Sequence, residues 1–230
     1  SPTDVWAAGA AGDCTGFLLH WDGRAWSPVL SGAANLCFGG LSGTASADVW
    51  AVARGVLLHW TGQRWAAEGP TDVAGAVLAV GAEVFVLQDS TQGGPNAPGG
   101  VYRLAAGQWT LEHSGAQASL RALWGTGPAD VWAAGDDPTT VLRRSADGTW
   151  TPTPTGLDPA SAGIGALWGS GPSGLYAASR GAPVLLHWDG ARWSDLSVAL
   201  GFSSLSGLGG TSAGELWAVG ADGTILHRTP

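Results

Sequence analysis

The sequence predicts an all-β propeller of four-stranded antiparallel blades, and three observations predict it. A short segment recurs six times, as Asp4-Val5-Trp6, Asp48-Val49-Trp50, Glu83-Val84-Phe85, Asp130-Val131-Trp132, Gly174-Leu175-Tyr176 and Glu215-Leu216-Trp217, at spacings of 44, 35, 47, 44 and 41 residues. Units of that period cannot bury a face alone and are stabilised by stacking on their neighbours. Around each copy lie short runs separated by Gly-containing turns, enough for four strands per unit, which is the content of one blade. No segment shows the 10-to-15-residue amphipathic pattern of a helix.

Each strand of the unit has its own signature. The inner strand (A) reads Leu120-Arg121-Ala122-Leu123-Trp124-Gly125 in one unit and Ile164-Gly165-Ala166-Leu167-Trp168-Gly169 in the next. The second strand (B) carries the recurrent segment, and its Trp6, Trp50, Trp132 and Trp217 are expected to be buried between blades. The third (C) pairs with it as a hairpin, as in Phe17-Leu18-Leu19-His20-Trp21, Val56-Leu57-Leu58-His59-Trp60 and Val184-Leu185-Leu186-His187-Trp188. The outer strand (D) opens on Trp26, Trp65, Trp109, Trp150 or Trp193 and continues in polar residues. Strands A to C are almost continuously apolar because stacked blades bury both surfaces of a sheet, whereas D meets water.

The chain opens with B, C and D, holds four complete units, and closes with A (204–209), B (215–219) and C (224–227). Six blades are favoured, the first lacking its inner strand and the last its outer one. Five blades would leave the final hairpin unused, and seven remain an alternative. Residues 1–230 are read as one propeller domain with units starting near 4, 48, 83, 130, 174 and 215. Residue 1 falls inside a unit, so a processed or trimmed chain is expected, with flanking sequence supplying the remaining strands.

Composition narrows the function. Fourteen Trp and only 12% charged residues exclude the disordered class. The net charge is −8, all cations are Arg, and the largest basic cluster is Arg143-Arg144. A nucleic-acid groove needs several cations on one surface, so none is expected. The longest apolar run, residues 73–82, is far short of a membrane span, so no membrane insertion is expected.

The C-to-D turns Ser145-Ala146-Asp147-Gly148-Thr149-Trp150, Asp22-Gly23-Arg24-Ala25-Trp26 and Asp189-Gly190-Ala191-Arg192-Trp193 resemble the Asp-box of bacterial BNR-type repeat propellers. Trp217-Ala218-Val219-Gly220 is similar to the second strand of the same family. Thr61-Gly62 and Ala106-Gly107 depart from the pattern. The resemblance implies an architectural Asp that closes the turn on its own backbone, with the Trp packed in the blade. Sialidases share it, but that chemistry would need an arginine triad, a Tyr nucleophile and a Glu partner. Tyr176 stands at a core position and Tyr102 has no Glu placed to activate it. Glu83 and Glu215 do the repeat's work, and Glu68 and Glu112 lie on or just after outer strands, so no catalytic residues are assigned.

His20, His59, His187 and His227 hold one position on strand C, where the other units carry Arg103 and Arg143. Equivalent positions are spread around a ring and cannot converge on one metal. A recurring hydrogen bond to a neighbouring blade or the outer surface is expected instead, and neither metal nor cofactor is. His113 is expected at the surface. Asp136 with Asp137 could offer oxygen ligands to Ca²⁺, but adjacent carboxylates at a turn are ordinarily solvated.

The B-to-C and D-to-A connections emerge on one face, where a repeat protein varies its residues while holding its core constant. Candidate ligand-binding residues there are Arg54, Gln88, Asp136, Asp137 and Arg180, with Arg121 at the start of an inner strand. Asp13, Asp89 and Asp222 share the turns, and the Gly/Pro-rich insertion 89–100 lies on the same face. The expected function is a non-catalytic extracellular module that recognises a protein or a glycan through this face. Alternatives are a hydrolase- or lyase-type enzyme with a site at the channel mouth, and a structural module of a cell-surface assembly. Trp21, Trp60 and Trp188 at the ends of third strands could stack on sugars if exposed.

Cys14 falls on the first B-to-C turn and Cys37 on the next D-to-A connection, on the same face of adjacent blades. A disulfide is therefore expected, and with it a secreted, periplasmic or cell-surface location.

Overall fold

A computed structural model describes residues 3–88, 99–116, 118–197, 201–211 and 214–229. Among these, twenty-two strands form six antiparallel sheets arranged as the blades of a propeller. The first blade is β1 (Val5–Ala10), β2 (Gly16–Trp21) and β3 (Trp26–Ala33); the second is β4 (Phe38–Ala45), β5 (Asp48–Ala53), β6 (Val56–Trp60) and β7 (Trp65–Ala67). The third is β8 (Val73–Val80), β9 (Glu83–Gln88), β10 (Gly99–Ala105) and β11 (Gln108–Ala116); the fourth is β12 (Leu120–Gly127), β13 (Asp130–Gly135), β14 (Thr140–Arg144) and β15 (Trp150–Pro154). The fifth is β16 (Ile164–Gly169), β17 (Leu175–Ser179), β18 (Leu185–Trp188) and β19 (Trp193–Asp195), and the sixth is β20 (Leu205–Gly210), β21 (Leu216–Gly220) and β22 (Ile225–Arg228). The six-bladed reading with three-stranded ends holds. Residues 89–98, most of the insertion expected on the loop face, lie outside the described residues.

Inner strands pack in series, β4 on β8, β8 on β12, β12 on β16 and β16 on β20. β12 and β16 carry a Trp-Gly pair near their ends, and each indole meets a glycine of the next inner strand. A Cβ on Gly169 would stand 2.9 Å from the Trp124 ring, and one on Gly210 would stand 2.6 Å from that of Trp168. Each glycine thus makes room for the indole of the blade before it.

The recurrent second-strand aromatic faces the following blade. Trp6 meets Trp60 and Trp65, Trp50 meets Trp109, and Trp132 meets Trp188 and Trp193, with ring centroids 5.4 to 6.1 Å apart. Phe85 and Tyr176 instead lie under the guanidinium groups of Arg144 and Arg228. Trp50 and Trp132 are buried as expected, Trp6 is half-buried, but Trp217 is 45% exposed because no following blade covers it. Trp60 and Trp188 belong to these interfaces, so they are not free platforms for sugars.

The acid that opens the segment ties the blade together. Asp4 bonds His20 Nε2 at 2.7 Å, Asp48 bonds His59 Nε2 at 3.0 Å, Glu83 receives Arg103 Nε at 2.6 Å and Asp130 receives Arg143 Nε at 3.2 Å. At His20 and His59 the third-strand imidazole therefore bonds within its own blade, not to a neighbour, because antiparallel pairing sets it beside the second strand. It also stacks there: His59 lies 3.8 Å from Trp50 and His227 3.9 Å from Trp217. His113 is likewise not a plain surface residue; its ring is half-buried beside Trp150, and burial pushes its pKa down.

The C-to-D turns close as the carboxylate chemistry demands. Asp22 accepts the Arg24 and Ala25 amides at 2.8 and 2.9 Å, and Asp189 accepts those of Ala191 and Arg192 at the same distances. Asp147 accepts Ser145 Oγ and the Thr149 amide, which bring its pKa down to about 2. The following glycine adopts φ of +85 to +101° at Gly148, Gly23 and Gly190, a region that strains any side chain.

Cys14 and Cys37 are joined, with Cα atoms 4.7 Å apart, fastening the first blade to the second. Thiol titration of the denatured, unreduced protein is expected to find no free thiol. Reduction should lower stability by roughly 3 kcal/mol for a closed loop of this length, and two free thiols in the unreduced protein would remove the bond.

Candidate functional site

The site is built from two backbone devices that recur in four blades. First, the inner strand slips register after its opening residue, between Phe38 and Gly40, Leu120 and Ala122, Ile164 and Ala166, and Leu205 and Gly207. The skipped residues are Gly39, Arg121, Gly165 and Ser206. Such a bulge leaves one residue unpaired and re-aims its side chain. Second, the residue just past the second strand donates its amide across the blade. Arg54 donates to the Cys37 carbonyl, Asp136 to Ser119, Arg180 to Gly163 and Ala221 to Ser204, at 2.9 to 3.3 Å. These bonds fix one variable side chain per blade at the same height on the loop face.

In the fourth and fifth blades the two devices meet. Arg121 grips Asp136 with both arms of its guanidinium, Nε to Oδ1 at 2.9 Å and a terminal nitrogen to Oδ2 at 2.6 Å. Arg180 approaches from the next blade. Its aliphatic stem runs over Gly165, where a Cβ would collide with Cγ and Cδ at 2.0 Å. A Cβ on Gly163 would likewise stand 2.6 Å from Asp136 Cα. The two glycines therefore open a cleft of about 400 Å³ lined by Arg121, Asp136, Gly163, Ile164 and Arg180.

Electrostatics follows from that arrangement. The Arg121 hydrogen bonds hold the Asp136 carboxyl below its usual range, burial opposes them, and the charge of Arg180 adds to the lowering. Among the described residues that line the cleft, two guanidiniums stand against one carboxylate, on a chain whose charge is −8. Arg121 and Asp136 stay 40% and 49% exposed, so a ligand can reach them. Bidentate guanidinium geometry favours a carboxylate or another planar oxyanion over a neutral group.

Three of the six candidate residues come together here. The others do not. Arg54 is exposed at the equivalent position of the second blade, beside the disulfide. Asp137 is turned away into its own turn, where it accepts the Thr139 amide and hydroxyl at 2.8 and 2.7 Å. The two adjacent carboxylates thus serve different partners and do not share a cation. Gln88 donates to Asp72 at 3.0 Å, and Tyr102 donates to the same carboxylate. Burial and Asp72 together push the Tyr102 phenol up to about 12, which suits a structural donor and not a nucleophile.

The glycines at 163 and 165 were not singled out from the sequence. The available signal was that Arg121 and Gly165 occupy the same repeat position, so one blade projects a cation where the next leaves a space. Two larger clefts, of about 470 and 540 Å³, lie in the end blades and lack such a charged constellation.

No protein-family model matches this chain, and no curated protein sequence does. Solved structures show the fold. A structure of YCF48 bound to a D1 peptide is 18% identical with a TM-score of 0.70, covering 99% of this chain and 74% of the other. The extracellular domain of BT4673 from B. thetaiotaomicron is 13% identical with a TM-score of 0.65, covering 96% and 32%. A catalytically inactive virginiamycin B lyase from Staphylococcus aureus with quinupristin is 10% identical with a TM-score of 0.64, covering 99% and 75%. At these identities the likeness is one of fold.

Proposed function

We propose that this protein is a non-catalytic recognition module that binds a protein partner through the face carrying the B-to-C and D-to-A connections. The observation that carries the reading is the convergence of Arg121, Asp136 and Arg180 from adjacent blades into an open cleft on that face, two guanidiniums to one carboxylate among its described residues. A carboxylate-bearing segment of an extended peptide matches its size and charge. One solved relative of this fold holds a peptide, which supports the reading without identifying a partner.

The disulfide supports placement outside a reducing compartment, secreted, periplasmic or at the cell surface. The Asp-closed turns support membership of the Asp-box repeat propellers. An enzyme would need a base or nucleophile at the mouth. Among the described residues the titratable acid lining the cleft is Asp136, and its lowered pKa makes it a weak base. A glycan reading loses support from the packing of Trp60 and Trp188 against other indoles.

Selection from a displayed random-peptide library tests the proposal. Retained peptides are expected to carry a carboxylate and to bind R121A/R180A about 10- to 100-fold more weakly, the size of one to two lost charge-assisted hydrogen bonds. Binding should fall with salt and persist when His20, His59 and His187 are replaced together. Peptides held equally by the double variant, or retention of glycans alone, would reject this site.

A further inference from the structure

The second strand marks where one more blade belongs. Its alternating residues face opposite neighbours: the residue before the aromatic faces the preceding blade and the aromatic faces the following one. The first kind is buried at Val49, Val84, Val131, Leu175 and Leu216, all 6% exposed or less, but Val5 is 40% exposed. The second kind is buried at Trp50, Phe85, Trp132 and Tyr176, all at most 2% exposed, but Trp217 is 45% exposed. The preceding side of the first blade and the following side of the sixth are therefore both uncovered. Phe17, Trp26 and Val29 join Val5 on the first, and Val219 and Ile225 join Trp217 on the sixth.

Two clefts lie at the same ends. One of about 540 Å³ separates β1 from β4, on the side where an inner strand would extend the first blade. The other, about 470 Å³ and lined by Leu185, Leu196, Leu216, Ala218, Leu226 and Arg228 among others, borders β22. In the third, fourth and fifth blades the outer strand brings a Trp against the blade before it. At the sixth, Tyr176 is met by Arg228 alone of that pair, and the space for the indole stays open.

We propose that the ring is completed by one further four-stranded blade of the same repeat, supplied by this protein's own chain outside the 230 residues, with two added strands filling the end clefts. Its outer-strand Trp would cover Trp217, and its own second-strand aromatic would cover Trp26, repeating the interface that joins Trp132 to Trp193. The apolar character of both faces matches this occupant, since a blade surface is what each of the other interfaces already buries. The size also fits: the six blades superpose on 74% of the YCF48 chain, and the quarter left over is more than one repeat long.

The test places a thiol on the uncovered face as Val219→Cys. In the 230-residue protein it is expected to react with a thiol reagent as an open cysteine at every protein concentration. The probe is a six-strand extension copied from this chain, residues 145–188 followed by residues 22–45 with Cys37→Ser, joined to the C-terminus. The reaction rate should fall at least 100-fold while the protein stays monomeric. The same extension added as a separate polypeptide gives a second reading should the fusion misfold. Failure to protect in both formats overturns the proposal. So does protection already present without the extension: independent of concentration it means the ring closes on itself, and rising with concentration and mass it means a second copy covers the face.

Discussion

Replacing Trp132 by alanine is expected to cost about 3–5 kcal/mol, the range for emptying a large buried aromatic site. Trp132 is fully buried, with Trp188 and Trp193 set edge-on at 5.4 and 6.1 Å and the Arg143 guanidinium 4.9 Å from its ring. Its indole N–H donates to Asp130 at 3.1 Å, and that carboxylate also receives Arg143. Truncation would leave a cavity between two blades and loosen the acid-cation pair beside it. The informative partner is Trp217→Ala at the same repeat position, where 45% exposure predicts roughly half that loss. Urea unfolding of both variants decides the point, and equal losses would show that blade stacking does not set the energetics.

That contrast explains how far the sequence could be read. The repeat reveals which residue faces a neighbour, because side chains alternate across a strand. It does not reveal whether the neighbour exists, so Trp217 is expected to be buried and is not. The third-strand His illustrates a second limit. Its recurrence is legible, yet at His20 and His59 its partner is the acid of the adjacent strand, and antiparallel register, which sets His59 opposite Trp50, is what brings it within reach of Asp48. Arg103 and Arg143 substitute for His in the same bond, which the alignment of cations against acids could have shown. The candidate site lies further from the sequence. Arg121 and Arg180 are 59 positions apart and meet because a bulge, a strand end and two glycines coincide. Pattern reading names such residues as variable and cannot bring them together.

The same limit hid Glu112, which sequence alone places only on a polar outer strand. Its carboxylate instead joins the third blade to the fourth. Arg144 reaches it with Nε and a terminal nitrogen, both at 2.6 Å, the Trp150 indole donates at 3.2 Å, and Arg103 donates at 3.3 Å. The Arg144 side chain is 3% exposed and that of Glu112 14%. Removing one partner of such a pair leaves a buried charge without compensation, so Glu112→Ala should cost about 3–5 kcal/mol. Glu112→Gln keeps the shape and should cost less. Burial alone would raise the Glu112 pKa, but the bonds and charge of Arg144, with Trp150 and Arg103 behind them, hold it below its ordinary value. A depressed folded-state pKa contributes stability that is present above the unfolded value, about 4.3, and is lost as pH falls through the folded one. Several aspartates are depressed as well, so the wild type alone cannot isolate this group. The difference in unfolding free energy between wild type and E112Q can: it should be largest near pH 7 and shrink steadily below about pH 4. A difference that stays constant down to pH 2.5 would mean that Glu112 is not the charged partner of Arg144.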